Sequence, residues 1–195
     1  SLASNIISGQ TELAATPADT DEFLISDAGT IKRVDYSHIK ASNTPAFFAY
    51  AGSNQTITNN TWTKIEVNTE DLDSDSTYDH STNYRFTPAI AGRYVFNFGA
   101  NIFTSSQTDI NYIQVAIYKN GSSHVFMYDD YQASRIYGSQ TGGSCTITSD
   151  TDDYFEVYGW QNTGGGRGIY GDGDSGESDD LGFQTVFGGY RIAGT

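Results

Sequence analysis

The chain has 195 residues and a formal charge of −14, from 24 acidic and 10 basic residues. Such an acidic surface repels phosphate backbones and anionic lipid, so neither nucleic-acid binding nor membrane insertion is expected. Tyr (14), Phe (11) and Gly (21) are abundant, and no stretch reaches the ~18 apolar residues of a membrane-spanning helix.

Aromatic residues favour strands and glycines favour turns, so the composition predicts an all-β domain. The single cysteine, Cys145, has no partner for an intrachain disulfide. It is read as a buried thiol inside the strand Ser144-Cys145-Thr146-Ile147. Ser1 is read as the start of a processed product or of a piece cut from a longer chain.

Two regions separate. Residues 1–45 are mixed and polar. Within them Asp21-Glu22-Phe23-Leu24-Ile25-Ser26-Asp27 and Thr30-Ile31-Lys32-Arg33-Val34-Asp35 flank Ala28-Gly29, a pattern for a short hairpin. Such a hairpin is marginal alone in water and needs cover from its own copies or from the next domain.

Residues 46–195 read as a succession of aromatic strands. Phe47 to Ala51 and Trp62 to Val67 come first, and Asp71 to Thr77 is expected to be a polar loop. From Arg93 to Phe103 the alternation is cleanest. Tyr94, Phe96, Phe98, Ala100 and Ile102 share one face, and Arg93, Asn97 and Asn101 the other, as in a half-buried strand. Tyr112 to Lys119, the turn Asn120-Gly121 and Val125 to Tyr128 form a hairpin. Tyr154 to Trp160 and Phe183 to Ile192 complete about ten strands, with no long helix, which predicts a sandwich.

The segment carried by Asp21, Phe23, Leu24, Ile25, Asp27, Gly29, Thr30 and Lys32-Arg33-Val34 resembles a connector of phage tail-fibre and other virion appendage proteins. A second resemblance spans roughly residues 46–193. Phe86, five residues, then Gly92-Arg93-Tyr94-Val95-Phe96-Asn97-Phe98 resembles the signature of the globular head of complement component 1q, related to tumour necrosis factor. Asp73 and Tyr78 fit its upstream half, with one extra residue before Phe86 and Val67 in place of a Phe. Lys119-Asn120-Gly121, Asp153 to Val157 and Phe183 to Ile192 resemble its later strands, with Asp152 where the family has Gly. The resemblance implies a ten-stranded jelly-roll β-sandwich that assembles as a homotrimer. Tyr154, Tyr158 and Trp160 are expected either to supply that contact or to finish the protomer's own core.

Several clusters are candidate sites. Tyr128, Asp129 and Tyr131, and separately Trp160 and Asn162, place rings beside polar groups. Rings stack on the apolar faces of pyranoses while carboxylates and amides take hydroxyls, so these are candidate glycan contacts. Asp172, Asp174 and Asp179 in a glycine-rich loop, and Asp71, Asp73 and Asp75, alternate in a way that suits Ca²⁺, against the plainer reading of solvated acidic loops. Relatives in the resembled family often hold calcium near the trimer axis. Asp150, Asp152 and Asp153 precede a strand in a turn-like setting and do not form the paired carboxylates of a glycosidase. No nucleophile elbow, zinc motif or phosphate loop is present, and no catalytic residue is expected.

The resulting expectation is a non-enzymatic, trimeric virion tip module, on a phage tail fibre or appendage, that binds a host-cell surface receptor, a glycan foremost. The alternatives are a structural cap of a fibre or collar, and a secreted lectin-like or cytokine-like head.

Overall fold

The computed structural model describes residues 9–109, 112–130, 135–171 and 184–193, without the side chains of 104–109 and 135–137. Two compact units are present, Ser1–Ala41 and Ser42–Thr195.

In the first unit, β1 (Glu22–Asp27) pairs antiparallel with β2 (Thr30–Asp35), Glu22 opposite Asp35 and Asp27 opposite Thr30. Ala28 and Gly29 both take positive φ, 48° and 84°, the conformation of a two-residue hairpin turn. Ion pairs Lys32–Asp27 and Arg33–Glu22 lie on its surface. No residue of β1 is buried within the protomer, and Leu24 and Ile31 are more than half exposed. The predicted hairpin is therefore present.

Among the described residues the second unit holds thirteen strands in chain order. These are β3 (Ala46–Tyr50), β4 (Gln55–Ile57), β5 (Thr63–Lys64), β6 (Thr69–Asp73), β7 (Tyr78–Asp79), β8 (Arg85–Phe86) and β9 (Gly92–Asp109). They continue with β10 (Tyr112–Lys119), β11 (Ser122–Asp130), β12 (Arg135–Ser149), β13 (Phe155–Gln161), β14 (Arg167–Ile169) and β15 (Val186–Arg191). One sheet runs β11-β10-β13-β8-β7, with β5 also on β13. The other runs β4-β14-β9-β15-β3-β6, with β12 also on β9. The surplus over the ten predicted strands consists of two- and three-residue pieces such as β5, β7 and β8.

The core is the aromatic interlock between these sheets. Tyr94, Phe96, Phe98, Ala100 and Ile102 of β9 are all buried, as their alternation predicts. Phe96 is its centre. Its ring lies 4.6 Å from Phe155, 5.8 Å from Phe187 and 6.0 Å from Phe86, centroid to centroid, so it touches strands of both sheets. Phe47 stacks on Phe86 at 4.2 Å. Offset and edge contacts of this kind add to the burial itself.

Two local predictions change. Trp62–Val67 pairs as a strand only at Thr63–Lys64, because the chain turns after Ile65, Val67 N–H donating to Ile65 O at 3.1 Å. The segment predicted as the loop Asp71–Thr77 begins as strand β6, paired at the sheet edge with β3 across a register shift. Its Glu70 and Asp71 are exposed, the usual decoration of an edge strand, while Asp73 turns to the following segment.

Buried carboxylates organise the turns. Asp153 Oδ2 takes Lys119 Nζ at 2.7 Å and the Asp150 amide at 2.6 Å, and its Oδ1 takes Asn120 Nδ2 at 2.7 Å. Asn120 N–H donates to Tyr154 O at 3.0 Å, and Tyr154 N–H donates back to Asn120 Oδ1 at 2.9 Å. The β10–β11 hairpin tip is thereby fastened to the β12–β13 turn. Asn120 and Gly121 both have positive φ, as the hairpin prediction requires.

Candidate binding face

The outer face of the β11-β10-β13 sheet carries the exposed rings of Phe126 and Tyr128 and several half-buried ones, Tyr112, Tyr118, Tyr158 and Trp160. On β10, Ile113, Val115 and Ile117 are buried, so Tyr112, Gln114, Ala116 and Tyr118 alternate toward the other side. The register places Asp130 and Asn162 on either side of Tyr112, the latter through Asn162 N–H to Tyr112 O at 3.2 Å. Tyr128 and Trp160 flank Gln114. The Tyr112 ring lies 5.4 Å from that of Tyr128 and 5.7 Å from that of Trp160. Two clusters that are 30 residues apart in the chain thus become one, with Tyr112 as the link.

A β-bulge decides which side chains of β11 reach this face. Tyr118 faces Ser123, whereas Ile117 faces Val125, so His124 is the extra residue. Beyond it Phe126 and Tyr128 point outward, 51% and 57% exposed. Val125 and Met127 pack against the core.

The expected site residues fall differently. Tyr128, Trp160 and Asn162 come together. Asp129 does not join them: one residue from Tyr128, it lies on the opposite side of the strand and accepts from Ser139 Oγ at 3.4 Å. Gln161, between Trp160 and Asn162, is fully buried and ties the following loop, its Nε2 donating to Gly165 O at 2.7 Å. Tyr131 lies outside the described residues. Tyr112 and Gln114 were not singled out in the sequence. Their alternation with Ile113 and Val115 was the available signal, but the pairing that completes the cluster depends on the bulge.

The residues expected at a trimer contact lie further along this face. Tyr158 stacks on Tyr118 at 3.9 Å, and Trp62 meets Tyr118 edge-on at 5.8 Å. Arg85 sits over the Tyr154 ring at 4.7 Å. Beneath them Glu156, nearly buried, pairs with Lys64 at 2.5 Å. Burial and then the Glu156 carboxylate push the Tyr158 phenol up to about 12. These rings are thus already engaged within the protomer.

The opposite outer face, on β12-β9-β15-β3, has another character. Across its middle run Ser144, Asn97, Gly188 and Phe48, and next to them Gly142, Gly99, Val186 and Tyr50. From Val95 to Asn101 these outward positions carry no acid and no base. A Cβ on Gly142 would meet Phe98 O at 2.2 Å and Gly99 Cα at 2.5 Å, so the two strands approach there as only glycine allows. The result is a shallow hollow of about 350 Å³ lined by Phe98, Gly99, Gln140, Thr141, Gly142 and Val186.

The metal expectations fare as follows. Asp71, Asp73 and Asp75 do not converge on one point. Asp73 accepts from the Tyr78 amide at 2.8 Å and from Thr77 Oγ1 at 3.2 Å, and Asp75 accepts from Ser74 Oγ. Among the described residues no three His, Cys, Asp or Glu side chains are grouped to hold a metal ion. Asp172, Asp174 and Asp179 lie outside the described residues. Cys145 is half-buried beside the core, and burial pushes its thiol up, away from the reactive thiolate. No helix among the described residues is long and apolar enough to cross a membrane.

No protein-family model matches the chain, and neither does any curated protein sequence. Solved structures do. The Eiger tumour necrosis factor of S. frugiperda superposes with a TM-score of 0.55 at 10% identity, over 76% of this chain and 92% of that one. The globular domain of zebrafish complement 1qA superposes with a TM-score of 0.51 at 16% identity, over 76% and 98%. The chain therefore has the jelly-roll sandwich fold of the tumour necrosis factor and complement 1q heads.

Proposed function

We propose that this chain is a non-catalytic, homotrimeric head that recognises a receptor on a host-cell surface, carried at the tip of a virion appendage. The observation that carries the reading is the contrast between its two outer faces. In a chain of charge −14, the β12-β9-β15-β3 face keeps its central positions uncharged and flattened by Gly99, Gly142 and Gly188. Depletion of charge together with aromatic residues, here Phe48, Tyr50 and Tyr190, marks surfaces that pack against protein. The other face offers exposed rings to a ligand. Assembly through the first presents three copies of the second, and such avidity multiplies weak binding by ~10²–10⁴. The exposed N-terminal hairpin gives each copy a short apolar segment suited to joining a fibre.

Light scattering in dilute solution tests the assembly. The expected mass is three times that of one chain. Val186→Lys, which puts a charge in the centre of the uncharged face, is expected to give single chains and to weaken adsorption to host cells at least tenfold. A wild-type mass of one chain sinks the proposal.

A further inference from the structure

We infer that the cluster of Tyr112, Tyr128 and Trp160 binds an uncharged pyranose glycan. This inference rests on the recognition role proposed above and names the ligand class of that face.

The rings form a corner rather than a flat plate. Tyr128 is inclined 36° to Tyr112 and Trp160 stands at 80° to it. A sugar ring laid against one of them therefore has a neighbouring ring to wall its edge. Adjacent strands are about 4.8 Å apart, which sets Tyr128 and Trp160 roughly 10 Å apart across β10. The Tyr112 ring lies between them, so a sugar can rest on either side of it, and Gln114 is in register with both flanking rings.

Polar groups suited to hydroxyls surround the rings. Gln114 offers both a donor and an acceptor, and Asp130 faces Tyr112 across the strand pair. Asn162 Oδ1 is buried with no hydrogen-bond partner among the described residues. An orphan acceptor of this kind is uncommon and is satisfied when the amide turns toward an incoming hydroxyl.

Charge selects among glycans. The two rows Asp130·Tyr112·Asn162 and Tyr128·Gln114·Trp160 contain a carboxylate and no cation. The described cations further along the face are committed, Lys64 to Glu156 and Arg85 to the Tyr154 ring. A sialylated, sulfated or uronate-bearing glycan meets Asp130 and the field of a chain of charge −14. A neutral glycan meets no such repulsion, and its apolar face gains the ring contacts in full.

The test applies the full chain to an array of neutral, sialylated and sulfated oligosaccharides and, in parallel, to host cells. Binding is expected on neutral glycans alone, reduced at least tenfold by Trp160→Ala or Tyr112→Ala and within twofold of wild type for Ile90→Ala on a distant loop. Circular dichroism checks that each variant is folded. Gln114→Lys, at a half-exposed position with no core role, provides a second readout: it is expected to recruit acidic glycans that the wild type rejects. Wild-type binding to acidic glycans, abolished by Trp160→Ala, overturns the ligand class and leaves the recognition role standing. Neutral-glycan binding indifferent to both ring truncations overturns the site. Adsorption to cells with no glycan bound overturns the inference alone, and failure to bind either overturns both readings.

Discussion

At Asp153 a single carboxylate accepts from Lys119, Asn120 and the Asp150 amide. Burial pushes its carboxyl up, but the bonds from Lys119, Asp150 and Asn120 outweigh burial, and the net displacement is downward from the ordinary 3.8. The unfolded chain therefore binds the proton first as pH falls. The stability Asp153 supplies is complete above about pH 4 and fades as pH drops through the lower folded value. Asp153→Asn is expected to flatten the acid limb of a stability–pH curve. Asp153→Ala strands the Lys119 ammonium and is expected to cost about 2–3 kcal/mol, less than for a fully buried pair because Lys119 is partly exposed. Chemical denaturation checks both. Tyr78 offers a smaller test: its buried hydroxyl donates to Val67 O at 2.8 Å, so Tyr78→Phe is expected to cost about 1 kcal/mol.

Elements differ in how far their sequence exposes them. The alternation of β9 is readable because nothing interrupts it, and each buried ring is where period two puts it. Phe96, touching rings from both sheets, is expected to lose about 3–5 kcal/mol on Phe96→Ala, again measured by denaturation. The hairpin β10–β11 is readable from Asn120-Gly121, but its outer face is not. Register counted from that turn alone would set Met127 opposite Gln114. The extra residue at His124 moves Tyr128 there instead, and a one-residue slip exchanges the two faces of a strand. That is why Tyr112, Tyr128 and Trp160 read as unrelated in the sequence; Asp129 was grouped with Tyr128 as its chain neighbour, and strand alternation puts the two on opposite faces. β6 was missed because an edge strand buries little and its acidic pattern resembles a loop. The hairpin β1–β2 was legible from its turn. With no buried residue in β1, the peptide 9–41 is expected to show no strand signal by circular dichroism when separated from the rest.

For the whole molecule, the two-sheet sandwich was legible from composition, turn spacing and the Gly92–Phe98 signature, and the superpositions agree with it. Which residues share each outer face was not, since it depends on strand order. The sequence offered Tyr154, Tyr158 and Trp160 either as the apolar surface for assembly or as the finish of the protomer's own core; the folded chain stacks Tyr158 on Tyr118 and gathers Trp160 with Tyr112. The uncharged face emerges only when β12, β9, β15 and β3 lie side by side. At that scale Gly142 is the sharpest probe. Gly142→Val drives a side chain into the Phe98 carbonyl and is expected to destabilise the protomer, whereas Gly188→Ala meets the Phe48 ring at 2.9 Å and the Phe47 carbonyl at 3.2 Å and is expected to cost less. Thermal melts separate the two. The fastening of Asn120 to Tyr154 and Asp153 also bears on using this protein as a display scaffold. A hairpin tip is ordinarily the first choice for splicing in a foreign peptide, but here a graft between Asn120 and Gly121 would unlatch the neighbouring turn. At the loop tip Ser81-Thr82 both amides donate to Asp79, and the contacts from outside the loop, Lys64 to Asn83 O and His80 to Glu70, lie at its flanks, so the tip is the safer insertion point.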